Sequence, residues 1–315
     1  MHSHHSHSSD HCQHASSPLD DMIQRAIDER LLVLCLTEHM PRIDPNHLYP
    51  EEIKSNTTVE QLKCVFDTYY KRARQAQIEY KDRIDLLVGF ESETISDEYL
   101  DYIDELRKQY KFDMVVGSVH HVSRIPIDYN EETWIRALDA TVGTLHSKTD
   151  NISDESLQKY FEEYFDLQYL MLKRLKPSVV GHFDLIKLCA PKGVVPESLQ
   201  SWPSVWEKIT RNVKLAVSQG GLFEVNSAAV RKGWDTPYPG RDIASLIHEL
   251  GGEFCLSDDS HQVGHVAQNY KACIRYLKEL GVERVYYLKT KRLADTISII
   301  KDSVSLQELD EWATL

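Results

Sequence analysis

The sequence predicts an α/β fold in which parallel strands, buried on both faces, close into a (β/α) barrel. Three observations carry that expectation. Short apolar runs containing β-branched residues alternate with helix-period segments along the chain. No repeat, low-complexity linker or Pro/Gly-rich boundary interrupts them, so residues 1–315 read as a single domain. Most of the runs also end, on their C-terminal side, in a His, Asp, Glu or Asn. Chemistry gathered at the C-terminal ends of parallel strands is what a barrel of this kind presents.

The elements follow in order. The N-terminal stretch His5-Ser6-His7 precedes a first helix near Leu19. The run 31–36 leads to Thr37-Glu38-His39, and the run 86–88 to Gly89-Phe90-Glu91. Between them, positions 57–80 place apolar residues at 59, 62, 65, 66, 69, 70, 73 and 76, one helical face. Thr58 and Gln61 are spaced as its capping box. The run 114–116 leads to Gly117-Ser118-Val119-His120-His121. A second amphipathic helix spans 153–175, and its Tyr and Phe stripe reads as packing against the sheet. Val179-Val180 leads to Gly181-His182-Phe183-Asp184, the run 222–225 to Asn226, and the run 254–256 to Asp258-Asp259-Ser260-His261. A last run, 285–288, carries no polar cluster.

Composition narrows the function. The chain has 36 basic and 49 acidic residues, a formal charge of −13, and its densest basic stretch is Lys289-Thr290-Lys291-Arg292. That balance argues against a nucleic-acid partner, because such binding rests on neutralising phosphates. The longest apolar run is far shorter than the roughly 20 residues that span a bilayer, and the polar N-terminus lacks the apolar core of a signal peptide. Neither a membrane partner nor export is expected. Six scattered cysteines without C-x-x-C read as reduced thiols of a cytoplasmic protein. Oligomeric state leaves no trace in the sequence.

Histidine is the anomaly: fifteen are present, six within the first fourteen residues. Imidazole nitrogens and carboxylates ligate Zn²⁺, Mn²⁺ or Fe alike, and a carboxylate can bridge two ions. In an extended segment, residues two apart face the same side, so His5 and His7 can hold one ion together, as can Asp259 and His261. His5, His7, His14, His39, Glu91, His120, His182, Asp259 and His261 make nine candidate ligands. Nine are too many for one ion and suit two or three. His2, His4 and His11 are not read as ligands, and His47, His146, His248 and His265 read as surface or structural. An affinity tag or metal-scavenging tail is the rival reading of the first residues. Signatures of serine, P-loop, dinucleotide and HExxH chemistry are absent, as is any Asp-x-Asp.

Taken together, His5-Ser6-His7, Thr37-Glu38-His39, Gly89-Phe90-Glu91, Gly117-Ser118-Val119-His120, Gly181-His182-Phe183-Asp184-Leu185 and Asp259-Ser260-His261 resemble the polymerase-and-histidinol-phosphatase (PHP) superfamily. Within it, Met1-His2-Ser3-His4-His5-Ser6-His7-Ser8 and Thr37-Glu38-His39-Met40-Pro41-Arg42 resemble the fungal histidinol-phosphate phosphatases. The resemblance implies a distorted (β/α)₇ barrel with a trinuclear metal centre. His5, His7, Glu91 and Asp259 would surround one ion, and Glu91, His120 and His182 a second. His14, His39 and His261 would hold the third, with His11 a rival to His14 and His121 a rival to His120.

The implied reaction is hydrolysis of L-histidinol phosphate by in-line attack of metal-activated hydroxide. Asp259, His261 and Arg231 are its candidate catalytic residues. Arg231 resembles the family's cation in E-x-N-x-x-x-x-R-K and would bind phosphate, with Arg42, Lys187 and His121 as further candidates for the substrate pocket. Another PHP phosphoesterase or a 3′–5′ exonuclease, a non-catalytic metal-binding barrel and a deaminase-like metal barrel are the competing readings.

Overall fold

The computed structural model describes residues 1–146, 152–293 and 296–314. Seven short parallel strands form its centre: β1 (His2–Ser3), β2 (Val33–Leu36), β3 (Asp85–Val88), β4 (Val116–Gly117) and, after a small antiparallel pair of β5 (His121–Val122) and β6 (Ile125–Pro126), β7 (Val179–Val180), β8 (Leu222–Asn226) and β9 (Glu253–Ser257). They run as β1-β2-β3 and β4-β7-β8-β9. Two seams join these sheets. A parallel bridge pairs Glu91 with Val116, and Val116 N–H donates to the Phe90 carbonyl at 3.0 Å. On the other side Ser6 bridges Ser260, and His7 N–H donates to the Ser260 carbonyl at 2.8 Å. The sheet therefore closes on itself as the (β/α)₇ barrel that the motifs implied.

Period-2 alternation divides the strands between two cores. Val33, Cys35, Leu87, Met114, Val116, Val179, Leu222 and Cys255 fill one cluster inside the barrel. Alternate residues such as Leu34, Leu36, Leu86 and Val88 join the larger cluster beneath the helices. Close approach of strands is steric as well as hydrogen-bonded. A Cβ on Gly89 would stand 2.4 Å from the Met114 carbonyl oxygen, so no larger residue fits beside the β3–β4 seam.

The anticipated helices form. α3 (Val59–Glu79) begins at Thr58, whose hydroxyl accepts from Gln61 N–H at 3.2 Å while Gln61 Oε1 accepts from Thr58 N–H at 2.8 Å. It buries Val59, Leu62, Phe66, Tyr69, Ala73 and Ala76. α6 (Asp154–Leu175) is capped by Ser153 and buries its Tyr and Phe stripe. Among the described residues no helix is long and apolar enough to cross a membrane.

The run 285–288 is not another barrel strand. It belongs to an antiparallel hairpin of β10 (Arg284–Leu293) and β11 (Thr296–Ser305). Tyr286, Tyr287, Leu288 and Ile299 of that hairpin pack against the interior cluster. His2 and His4 serve this junction: His4 Nε2 accepts from Leu288 N–H at 2.9 Å, and the His2 ring stacks on Tyr287. The polar strand ends lie beyond the other end of the same strands.

Candidate metal centre at the barrel mouth

Most strand ends extend their inward-facing register into polar residues. From β3 the inward positions Leu87 and Gly89 continue to Glu91 and Glu93. From β9, Cys255 and Ser257 continue to Asp259. Asp259 takes a left-handed φ of +48°, uncommon for a residue with a side chain, at the point where the strand turns.

Glu91 is the hub. Its Oε2 lies 3.2 Å from His5 Nε2, 3.5 Å from His7 Nε2 and 3.0 Å from His39 Nδ1. Its Oε1 lies 2.9 Å from His182 Nε2 and 3.1 Å from His120 Nε2. Asp259 Oδ1 completes the first side at 3.5 Å from His7 Nε2 and 3.8 Å from His5 Nε2. On a third side His14 Nε2 meets His39 Nε2 at 3.3 Å, with the His261 ring 4.9 Å from that of His14. His5, His7 and Asp259 form one group whose donor atoms lie within 4.8 Å of one another. His5, Glu91 and His182 form a second, and His7, Cys12, His39 and His261 a third.

Groups behind the cluster orient these rings. His5 Nδ1 bonds Glu224 Oε2 at 3.1 Å, His120 Nδ1 bonds Glu93 Oε2 at 3.0 Å, and His14 Nδ1 bonds Glu51 Oε1 at 3.0 Å. His261 Nδ1 bonds the Asp259 carbonyl at 2.9 Å. In each case the acceptor holds a proton on Nδ1 and aims Nε2 into the cluster, the arrangement that metal-ligating histidines need once Nε2 is free of a proton. Glu224 is itself held by Ser257 Oγ and Asn226 Nδ2, and Glu93 by the Tyr49 hydroxyl.

Burial disfavours charge on His5, yet Glu91, Asp259 and Glu224 outweigh it and lift its pKa well above the ordinary histidine value. His39 and His120 are raised in the same way. Burial would raise Glu91, but His5, His120 and His39 hold it well below the usual carboxylate range. His261 behaves oppositely, pushed down to about 4 by burial and by His7.

The donor set fits divalent metal. Two imidazole nitrogens facing each other at 3.2 Å, as in His120 and His182, cannot both be protonated. His5 Nε2 and both nitrogens of His7 are buried without a hydrogen-bond partner. Such orphaned bases are costly to bury unless something electrophilic joins them.

The predicted residues do not all converge. Of the N-terminal rivals, His14 meets His39, whereas His11 lies against the Tyr69 ring. His120 faces Glu91; His121 is fully buried with both nitrogens unpartnered and does not line the mouth. Arg42, expected in the substrate pocket, is buried against Glu52 and the Tyr49 ring and lines an adjoining cavity instead. Lys187 lies over the Trp234 ring, 3.8 Å from Asp184, outside the mouth lining. These three are held by neighbours of opposite charge, aromatic faces or plain burial, which spacing in sequence does not reveal.

Arg231 does reach the mouth, where its two terminal nitrogens donate to the carbonyls of Asp258 and Asp259 at 3.0 Å each. The mouth is a cavity of about 370 Å³ that also includes Tyr49, Glu51, Asp128, Tyr129, Lys232 and His265. His265, read as surface or structural, thus belongs to the site. Glu93 and Glu224 were also missed, although Glu91-x-Glu93 and Glu224-x-Asn226 repeat the i, i+2 spacing that marked the ligands.

The chain is similar to known proteins along most of its length. Residues 3–228 match the model of the PHP domain family. A Schizosaccharomyces pombe protein named "Probable histidinol-phosphatase" is 42% identical over 278 residues, covering 88% of this chain and 86% of its own. The Saccharomyces cerevisiae "Histidinol-phosphatase" is 34% identical across the whole of both chains. The crystal structure of histidinol phosphate phosphatase from Lactococcus lactis, complexed with zinc, L-histidinol and phosphate, superposes with a TM-score of 0.66 at 17% identity, covering 91% of this chain and 96% of that one. At that identity the likeness shows the fold alone. With the family model spanning well over half its length, the chain belongs to the PHP family.

Proposed function

We propose that this chain is a metal-dependent phosphomonoester hydrolase that converts L-histidinol phosphate and water to L-histidinol and inorganic phosphate. The observation that carries the reading is the shared Glu91 carboxylate, one oxygen facing His5 and His7 and the other His120 and His182. The fungal relatives named histidinol-phosphatase supply the substrate. His5, His7, Glu91 and Asp259 would hold one divalent ion, Glu91, His120 and His182 a second, and His14, His39 and His261 a third.

Bound divalent ions supply neutralisation of the phosphoryl oxygens and a water acidic enough to attack at neutral pH. Arg231 presents its guanidinium beside them, already oriented by two backbone carbonyls and suited to a phosphoryl edge. Asp259 anchors the ligand group nearest Arg231. A neutral His261 keeps its one proton on Nδ1, bonded to the Asp259 carbonyl, so it has none to offer the leaving alkoxide from Nε2. Solvent protonates that oxygen.

The test uses protein purified without chelator, with metal content and phosphate release from L-histidinol phosphate measured on one sample. Three ions per chain with turnover is the expected result, and single-stranded DNA should not be cleaved. Fewer than two ions without turnover overturns the reading. Isotopically chiral phosphate should emerge with inversion, since retention would require a covalent phosphoenzyme.

A further inference from the structure

Cys12 lies in the loop between β1 and α1 (Leu19–Asp28), only 6% exposed, with no place in the nine-residue ligand set. A buried cysteine in an apolar core is an inert small hydrophobe. Cys12 is differently placed. Its Sγ and donor nitrogens of His7, His39 and His261 all lie within 4.8 Å of one another. Both nitrogens of His7, 1% exposed, lack any hydrogen-bond partner. The loop is firmly set: Cys12 N–H donates to the Ser8 carbonyl at 2.8 Å, and Ser16 N–H to the His261 carbonyl at 2.8 Å. Those bonds fix the thiol against the same chain segment that carries His261.

We propose that Cys12 is a thiolate ligand of the ion on the His39–His261 side of the centre. The inference rests on reading the mouth as a metal site. Its chemistry is a simple exchange: the thiol proton leaves to solvent as the sulfur–metal bond forms. A soft thiolate favours zinc over manganese or magnesium, so Cys12 would bias which ion this side retains.

X-ray absorption of the zinc-loaded wild-type protein tests this without any substitution. A sulfur shell at about 2.3 Å is expected. Cys12→Ser should remove that shell and hold one fewer zinc per chain. Cys12→Asp should narrow the preference of this site for zinc over manganese, read by competition between the two ions. Zinc present with only nitrogen and oxygen neighbours in the wild type overturns the inference and leaves the metal centre standing. A sulfur shell that persists in Cys12→Ser overturns it too. A wild-type protein that retains no zinc, cobalt, iron or manganese overturns the metal centre and this ligand together.

Discussion

At the scale of single residues, the partner of the second ring nitrogen sets His120 apart from His121. His120 and His121 are neighbours in sequence, but Glu93 accepts from His120 Nδ1 at 3.0 Å, while its nearest oxygen is 3.8 Å from His121 Nδ1. Glu224 plays the same part for His5. Glu224→Gln should therefore weaken metal affinity about 10- to 100-fold, read by competition with a chromophoric chelator. Arg231→Ala should lower kcat/KM for histidinol phosphate on the order of 100-fold, as loss of a charge-stabilising donor does. Arg231→Lys should recover only part of that, because an ammonium cannot bridge two carbonyls and still face phosphate with a planar fork. Kinetic constants unchanged in Arg231→Ala would remove Arg231 from the site.

At the scale of elements, helices fix the strand ends that carry the proposed ligands. The Tyr69 hydroxyl on α3 sits 2.5 Å from the Leu36 carbonyl and 2.6 Å from that of Gly89, the backbone just before Thr37-Glu38-His39 and Glu91. Tyr69→Phe leaves buried carbonyls without this donor and should cost about 1–3 kcal/mol in urea unfolding. A midpoint identical to the wild type would show that the strand ends need no such tie. The hairpin of β10 and β11 closes the opposite end, where Asp85 accepts from Thr290 N–H at 2.7 Å and from its hydroxyl at 2.8 Å.

At the scale of the molecule, a chain of formal charge −13 gathers seven of its fifteen histidines around Glu91 and Asp259 at one mouth. Without metal, His5, His39 and His120 carry pKa values above the ordinary range, so they hold protons at neutral pH. Ligation needs the neutral ring, so those protons must leave as ions bind. Affinity should rise with pH, and calorimetry at pH 7 in two buffers of different ionisation enthalpy should report net proton release. Equal heats in both buffers would contradict it. Ions that bind only the folded chain also stabilise it by mass action, about 2.7 kcal/mol at a hundredfold excess over Kd. Chelation should accordingly lower the melting temperature, reversibly on adding zinc back.

The alternation of apolar runs with amphipathic segments indicated the parallel sheet, and the polar ends of the runs the barrel, because strand and helix periods differ and each is written locally. The cap at Thr58 was legible for the same reason. So was the position of eight of the nine candidate ligands shortly after a strand end, whereas His14 lies out in the loop between β1 and α1. Other features depended on three-dimensional neighbours far away in sequence. His14 meets His39 where His11 lies against Tyr69, and Arg42 is buried against Glu52. Lys187 was drawn to Trp234 and Asp184, and the run 285–288 became half of a hairpin rather than a barrel strand. Glu93, Glu224, Cys12 and His265 entered the site through closure of the barrel. Local pattern determines which residues leave a strand and on which face, but which of them meet is decided by the closed ring of strands, where contacts cross more than two hundred residues of chain.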